Sequence, residues 1–286
     1  MINLMRRNWK LYIRDRAAVL YSMLGVFIMI GLYVLFLGDN MVSFIGDMPD
    51  GRFLVDSWIM AGLVGVTTIT TTLGALGTIV EDRDRKIDKD FRASPLKRWQ
   101  ISGGYMASAV LVGFFMSCVT LVLAEVYIVV KGGSLLPLGD LLKVLALILL
   151  STITAVSLLF PLITSVKSTG SFGGISTVVG TLSGFITGMY IPIGEVGVAI
   201  QWVMKCFPMT HAVVLLRQVM TAVPRSTIFV GAPAAVEAEM SEYIGIVLRF
   251  GDTVLQPWMH VVVLLATTAI FFGLSVWLVS RSKASA

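Results

Sequence analysis

The sequence predicts an all-α, polytopic membrane protein of six transmembrane helices, and three observations predict it. The chain of 286 residues is 56% hydrophobic with a mean hydropathy of +0.88, more apolar surface than one water-soluble core can bury. Its apolar residues gather into six runs, roughly 18–38, 57–80, 104–130, 141–166, 171–191 and 259–280. Each is near the ~20 residues that cross a ~30 Å hydrocarbon layer at ~1.5 Å per residue. None alternates with a two-residue period, so backbone groups must be satisfied within helices rather than in a closed barrel.

The first sixteen residues, MINLMRRNWKLYIRDR, place Ile2, Met5, Trp9, Tyr12 and Ile13 at helical spacing against Arg6, Arg7, Lys10 and Arg14. That pattern predicts an amphipathic interfacial helix ahead of the first span. The run after it is too long for a signal-peptide core and lacks a small-x-small cleavage site, so it is read as retained. With this end in the cytoplasm, fifteen of the twenty-two Lys and Arg residues fall on the cytoplasmic side, and the positive-inside rule predicts both termini there. The whole of 1–286 is expected to be a single transmembrane domain, without a repeat between its halves.

The second span carries VGVTTITTTLGALGT, with Thr67, Thr70, Thr71, Gly74 and Thr78 on one side. The fifth carries STVVGTLSGFITG, with Ser176, Gly180, Gly184 and Gly188 four apart. Both faces suit close helix packing, and a mildly polar passage is the second reading. Glu125 is the one acidic residue well inside a run; it reads as an interfacial, hydrogen-bonded carboxylate before it reads as a proton relay.

Between the second and third spans lies the cytoplasmic segment 81–102, beginning EDRDRKIDKDFRASPLKRW, in which twelve of nineteen side chains are charged against 14% in the whole chain. Orientation requires only its basic residues. The added acids Glu81, Asp82, Asp84, Asp88 and Asp90, interleaved with Arg85, Lys86, Lys89 and Arg92, suit a salt-screened docking contact. After the fifth span, 192–258 opens with two apolar runs of about ten residues broken by Pro192 and Pro208, too short to span. They predict short re-entrant helices on the outer side, with Glu195 and Arg217 near the outer interface and 223–258 as a small cap.

Several classes are excluded. There is no G-x-x-x-x-G-K-[ST] phosphate loop, so the chain does not hydrolyse ATP alone, and no H-E-x-x-H or G-x-S-x-G element. His211 and His260 lie far apart with no carboxylate at ligand spacing, and Cys118 and Cys206 form no metal or disulfide pattern. The pI of 9.3 comes without interleaved aromatics or a nucleic-acid motif, so nucleic acid is not an expected partner.

The order of elements resembles the permease subunits of type-2 ABC transporters. IVEDRDRKIDKDFRASPLKRWQISGGY is similar to that family's loop through Glu81, Ser94, Pro95 and Leu96. LSGFITGMYIPIGEVGVAIQWVMKCFPMTHAVVLLRQ is similar to its fifth-span end and outer segment through Ser183, Gly184, Pro192, Pro208 and Arg217. Two departures stand out: Lys86-Ile87 replaces the loop's usual Gly, and 223–258 is long. The resemblance implies an exporter of an amphiphilic or hydrophobic substrate such as a drug, peptide antibiotic, lipid or glycolipid, in a bacterial cell membrane. It further implies two ATPase subunits carrying ATP and Mg, a coupling helix within 81–102 that docks on them, a second permease copy in a homodimer, and membrane lipid around both. No cofactor is expected on this chain. The alternative is a non-transporting sensor or assembly scaffold of the same fold.

Overall fold

A computed structural model describes residues 1–34 and 51–281. Part of the first predicted span (35–38), most of the first outer loop and the side chain of Arg92 lie outside the described residues.

The amphipathic N-terminus forms α1 (Ile2–Arg14), its last turn carrying Arg14. α2 (Arg16–Leu32) follows, and then α3 (Gly51–Asp84), whose 34 residues make a rod of about 51 Å. α3 is the axis of the molecule. Its most apolar window is 89% buried, and it packs against α5 (Arg98–Val130), α6 (Leu138–Thr164), α7 (Thr169–Ile186) and α9 (Pro208–Met220). Glycines permit the closest crossings. A Cβ on Gly65 would meet Val213 of α9 at 2.5 Å, one on Gly77 would meet Phe172 of α7 at 2.7 Å, and one on Gly113 of α5 would meet Thr72 at 2.4 Å.

The short α4 (Ile87–Ala93) sits between α3 and α5. α8 (Val198–Cys206) and α9 meet at 86° around Phe207, where Pro208 occupies the first helical turn and its missing N–H costs nothing. α10 (Ala222–Ile228) and α11 (Ala234–Tyr243) follow, and α12 (Pro257–Arg281) closes the chain. The window of α12 is only 17% buried, as befits a helix facing lipid.

Among the described residues four helices, α3, α5, α6 and α12, are long and apolar enough to cross a bilayer, and the α8–α9 pair would qualify as a fifth only if counted as one bent span. The first predicted span continues past the described part of α2, and α7 has 18 residues, among them five glycines. The described residues thus account for four or five of the six expected spans. The chain is not wholly helical. Within the segment 192–258, Arg249–Phe250 (β1) and Thr253–Val254 (β2) pair antiparallel around Gly251-Asp252, where Gly251 takes φ +55°, the left-handed conformation a two-residue hairpin turn needs.

Candidate functional site

The charged segment resolves into two parts with different surroundings. Asp82, in the last turns of α3, is buried. It accepts a fork of hydrogen bonds from Arg7 of α1 (Nη1 to Oδ2 2.6 Å, Nη2 to Oδ1 2.8 Å) and a third from the Tyr105 hydroxyl of α5 (2.6 Å). The carboxylate raises the Arg7 pKa above the ordinary arginine value, chiefly through that hydrogen bond. Arg7 also lies 5.3 Å from the centre of the Phe91 ring on α4. A neighbouring clasp ties α3 to the α6–α7 turn: Arg83 donates to the carbonyls of Thr164 (3.1 Å) and Val166, and the Thr169 hydroxyl donates to Asp84 (2.8 Å). Asp82 is thus an internal anchor and is not presented to a docking partner.

Glu81, Asp84, Arg85, Lys86, Lys89 and Asp90 are exposed, and Asp88 is half-buried. Lys86 takes φ +62°, the one non-glycine positive φ among the described residues. The Lys at this position therefore holds the left-handed conformation that a glycine would adopt without cost.

Both small-residue faces border one cavity. It has a volume of about 940 Å³ and lies between α1, α2, α3 and α7. Thr67, Thr70, Gly74 and Thr78 form one wall, Ser176, Thr177, Gly180 and Thr181 the other. Arg7, Asp15, Glu81, Asp82 and Arg85 ring one end, Met189 and Tyr190 the opposite end. The Thr67 hydroxyl is satisfied by the Leu63 carbonyl (2.8 Å); Ser176 Oγ is buried with no partner among the described residues. The wall is weakly polar and can accept an amphiphile without desolvating a charge at mid-height.

The ladder and the threonine face are not uniform, however. Thr71 is buried away from the cavity, its hydroxyl bonded to the Thr67 carbonyl (2.6 Å). Gly74 and Gly180 have nothing within 4 Å of a Cβ, so they widen the cavity rather than admit a helix. At Gly184 the close neighbour is the chain's own Tyr190 ring, 2.2 Å from a Cβ. Gly188 is no rung at all. It lies beyond α7 at φ +69°, where its N–H bonds to Phe185 (3.1 Å) and that of Met189 to Gly184 (2.9 Å), a Schellman termination that requires glycine.

The segment 192–258 is pinned by Arg217, whose side chain is fully buried. Its guanidinium stands 4.3 Å over the Trp58 ring of α3 and donates to the carbonyls of Gly188 (2.6 Å), Ile244 (3.4 Å) and Gly245 (3.5 Å). Trp58 Nε1 donates to the same Ile244 carbonyl (2.6 Å). Pro192 is buried ahead of the single turn Ile193–Glu195, and Glu195 is exposed and accepts from the Tyr243 hydroxyl. The apolar residues Val198, Ile200, Trp202 and Val203 of α8 are exposed.

One arrangement had no sequence signal. His211 of α9 and His260 of α12, 49 residues apart, are buried with their Nδ1 atoms 2.7 Å from each other. His211 Nε2 donates to the Lys205 carbonyl (3.0 Å), which assigns the shared proton to His260 Nδ1 and leaves His260 Nε2 without a partner among the described residues. Glu125 accepts from the Leu136 N–H (3.0 Å) and ties the α5–α6 turn. No group of His, Cys, Asp and Glu that could hold a metal occurs among the described residues.

The sequence model of the ABC-2 type transporter family matches residues 1–221. Among curated proteins nothing matches significantly.

Proposed function

The chain belongs to the ABC-2 type transporter family, the transmembrane permease part of ABC transporters, and from that premise we propose that it is the membrane subunit of an ATP-driven exporter. Two copies would pair as a homodimer in a bacterial cell membrane with both termini in the cytoplasm. Two ATPase subunits, holding ATP and Mg, would dock on the exposed charges around α4. The substrate is amphiphilic or hydrophobic: a drug, peptide antibiotic, lipid or glycolipid moved from the cytoplasm or inner leaflet. The α8–α9 pair, with Pro192 and Pro208 at its breaks, would close the outer end.

One observation carries this reading: the threonine wall of α3 and the Ser/Gly wall of α7 enclose the same 940 Å³ cavity, which runs from a charged mouth to Tyr190. A charged mouth with a weakly polar, uncharged interior suits a molecule with a polar head and an apolar body. Transmission follows from the contacts around it. A push on α4 acts through Phe91 on Arg7 and through Arg7 on Asp82, so α1 and α3, which border the mouth, move with the coupling helix.

The test separates docking from passage. Gly180→Trp fills the cavity where no side chain opposes it; it should abolish substrate efflux and leave co-purification of the ATPase unchanged. Reversing Arg85, Lys89 and Asp90 together should weaken that co-purification in a salt-dependent way. Full efflux by Gly180→Trp would remove the passage from this cavity. Unchanged ATPase recovery by the triple reversal would remove docking from this loop.

A further inference from the structure

On the side of the bundle away from the passage, two cavities adjoin. A pocket of about 330 Å³ lies beneath α4, and a groove of about 1070 Å³ runs along α5, α6 and α12; Arg98, Ile101, Ser102 and Phe160 border both. They differ in charge. The small pocket sets Arg83, Arg98 and Asp88, with Thr164 and Ser165, among apolar residues that include Ile79, Phe91 and Leu278. The groove is apolar, walled by Met106, Val110, Val156, Phe272 and Val276, with Lys97 and Trp99 where it meets the pocket.

We propose that this joined site holds one diacyl phospholipid with an anionic phosphodiester head, drawn from the leaflet on the α4 side, its phosphate at Arg98 and its chains in the groove. Charge decides the class of head. Arg83, Lys97 and Arg98 face a single carboxylate, Asp88, so the pocket is net positive. Arg98 also opens α5, a helix of 33 residues whose positive dipole end reinforces an anion there. Arg98 and Asp88 already have partners within the protein, and a guanidinium with five N–H donors can serve a phosphate in addition.

The groove decides the tail. It opens on α12, the span that is only 17% buried, so lipid chains reach it directly. Trp99, 58% exposed beside it, sits where an indole marks the interface. A soluble anion would leave the groove's apolar wall unused, and a neutral lipid would leave three cations without an added counter-charge. The consequence is regulatory: Asp88 and Phe91 of α4 line the head pocket, so an occupied site braces the coupling helix against α5 and α6.

This inference rests on the chain being a membrane permease but not on which substrate it moves, and the experiment reads lipid retention apart from transport. The permease with its ATPase is reconstituted in nanodiscs of phosphatidylcholine, with or without phosphatidylglycerol, and released lipids are followed by native mass spectrometry. Phosphatidylglycerol should stay bound to the wild type. The double variant Lys97→Gln, Arg98→Gln should retain it about tenfold less, the loss expected for one charge-assisted phosphate contact. Ala107→Phe, which fills the groove from a half-buried position and leaves every charge in place, should displace it as well. Equal retention of phosphatidylcholine, full competition by inorganic phosphate, or unchanged retention in Ala107→Phe would each overturn the proposal. If the double variant fails to assemble, Ala107→Phe decides alone. Lipid retained by a complex that exports nothing would count against the proposed function and not against this site.

Discussion

Removing the Arg7–Asp82 fork should loosen α1 by a predictable amount. Asp82 is buried and takes both donors of Arg7 at 2.6 and 2.8 Å, whereas the Arg7 side chain is 31% exposed. Hydrogen bonds to charged groups contribute about 1.5–3 kcal/mol each when desolvated. Exposure of the arginine lowers that, and the pair as a whole is worth about 2 kcal/mol. Such a coupling changes the population of undocked α1 about thirtyfold. The other ties of α1 are unaffected: Leu4 against Gly104, Asn8 bonded to Ser108 at 3.3 Å, and Trp9 edge-on to Phe115 at 5.3 Å. Hydrogen exchange of the α1 amides in nanodiscs measures the opening directly. Arg7→Ala and Asp82→Ala should each speed exchange, Asp82→Ala more because Tyr105 also loses its acceptor. The double variant should be no worse than Asp82→Ala. Additive effects, with a coupling below about 0.5 kcal/mol, would refute the reasoning, because independent sites add within that margin.

Gly184→Ala should lower thermal stability by about 1–3 kcal/mol through overpacking against Tyr190, and the loss should vanish in a Tyr190→Ala background, as melting curves of both would show. At Lys86, Gly should raise stability by about 1 kcal/mol, the cost Lys already bears as a left-handed residue, and Val should lower it further because a branched Cβ fits that region less well; unfolding midpoints order the three proteins, and Gly no more stable than Lys would deny the left-handed turn. With Cys118 and Cys206 replaced, single cysteines at the exposed Gly197 and Ala234 should react with an impermeant reagent from outside the cell, and one at Lys89 only after the membrane is opened. Labelling of the Lys89 site in intact cells would reverse the orientation.

What the sequence made legible was whatever depends on neighbours in the chain. The amphipathic repeat of 2–13 specified α1, the proline at 208 specified the break before α9, and the charge density of 81–92 marked the segment between α3 and α5. Partnership across long separations was not legible. Nothing near Arg7 or Asp82 indicates that they meet across 75 residues, so Asp82 read as one more surface acid in a charged run. His211 and His260 read as unrelated for the same reason. Glycines illustrate the limit well, because a spacing of four looks alike whatever faces it. Gly180 borders open space, Gly184 an aromatic ring and Gly188 a helix end, while the tight helix crossings sit at Gly65, Gly77 and Gly113. The length of the fifth run also misled, since Gly188 ends α7 by backbone conformation although apolar residues continue past it.

The ties at the two ends of the bundle also answer differently to their surroundings. At the end of the bundle near α4 the anchor is an ion pair, Arg7 to Asp82, whose attraction weakens in salt. At the Arg217 end the acceptors are the carbonyls of Gly188 and Ile244, shared with Trp58, and none of these titrates. On the topology proposed here, the first anchor stands in the buffered cytoplasm and the second faces whatever medium the cell meets. An outer closure held by arginine on peptide oxygens keeps its grip through acid shock or a change of salinity, conditions under which a carboxylate latch in the same place would let go.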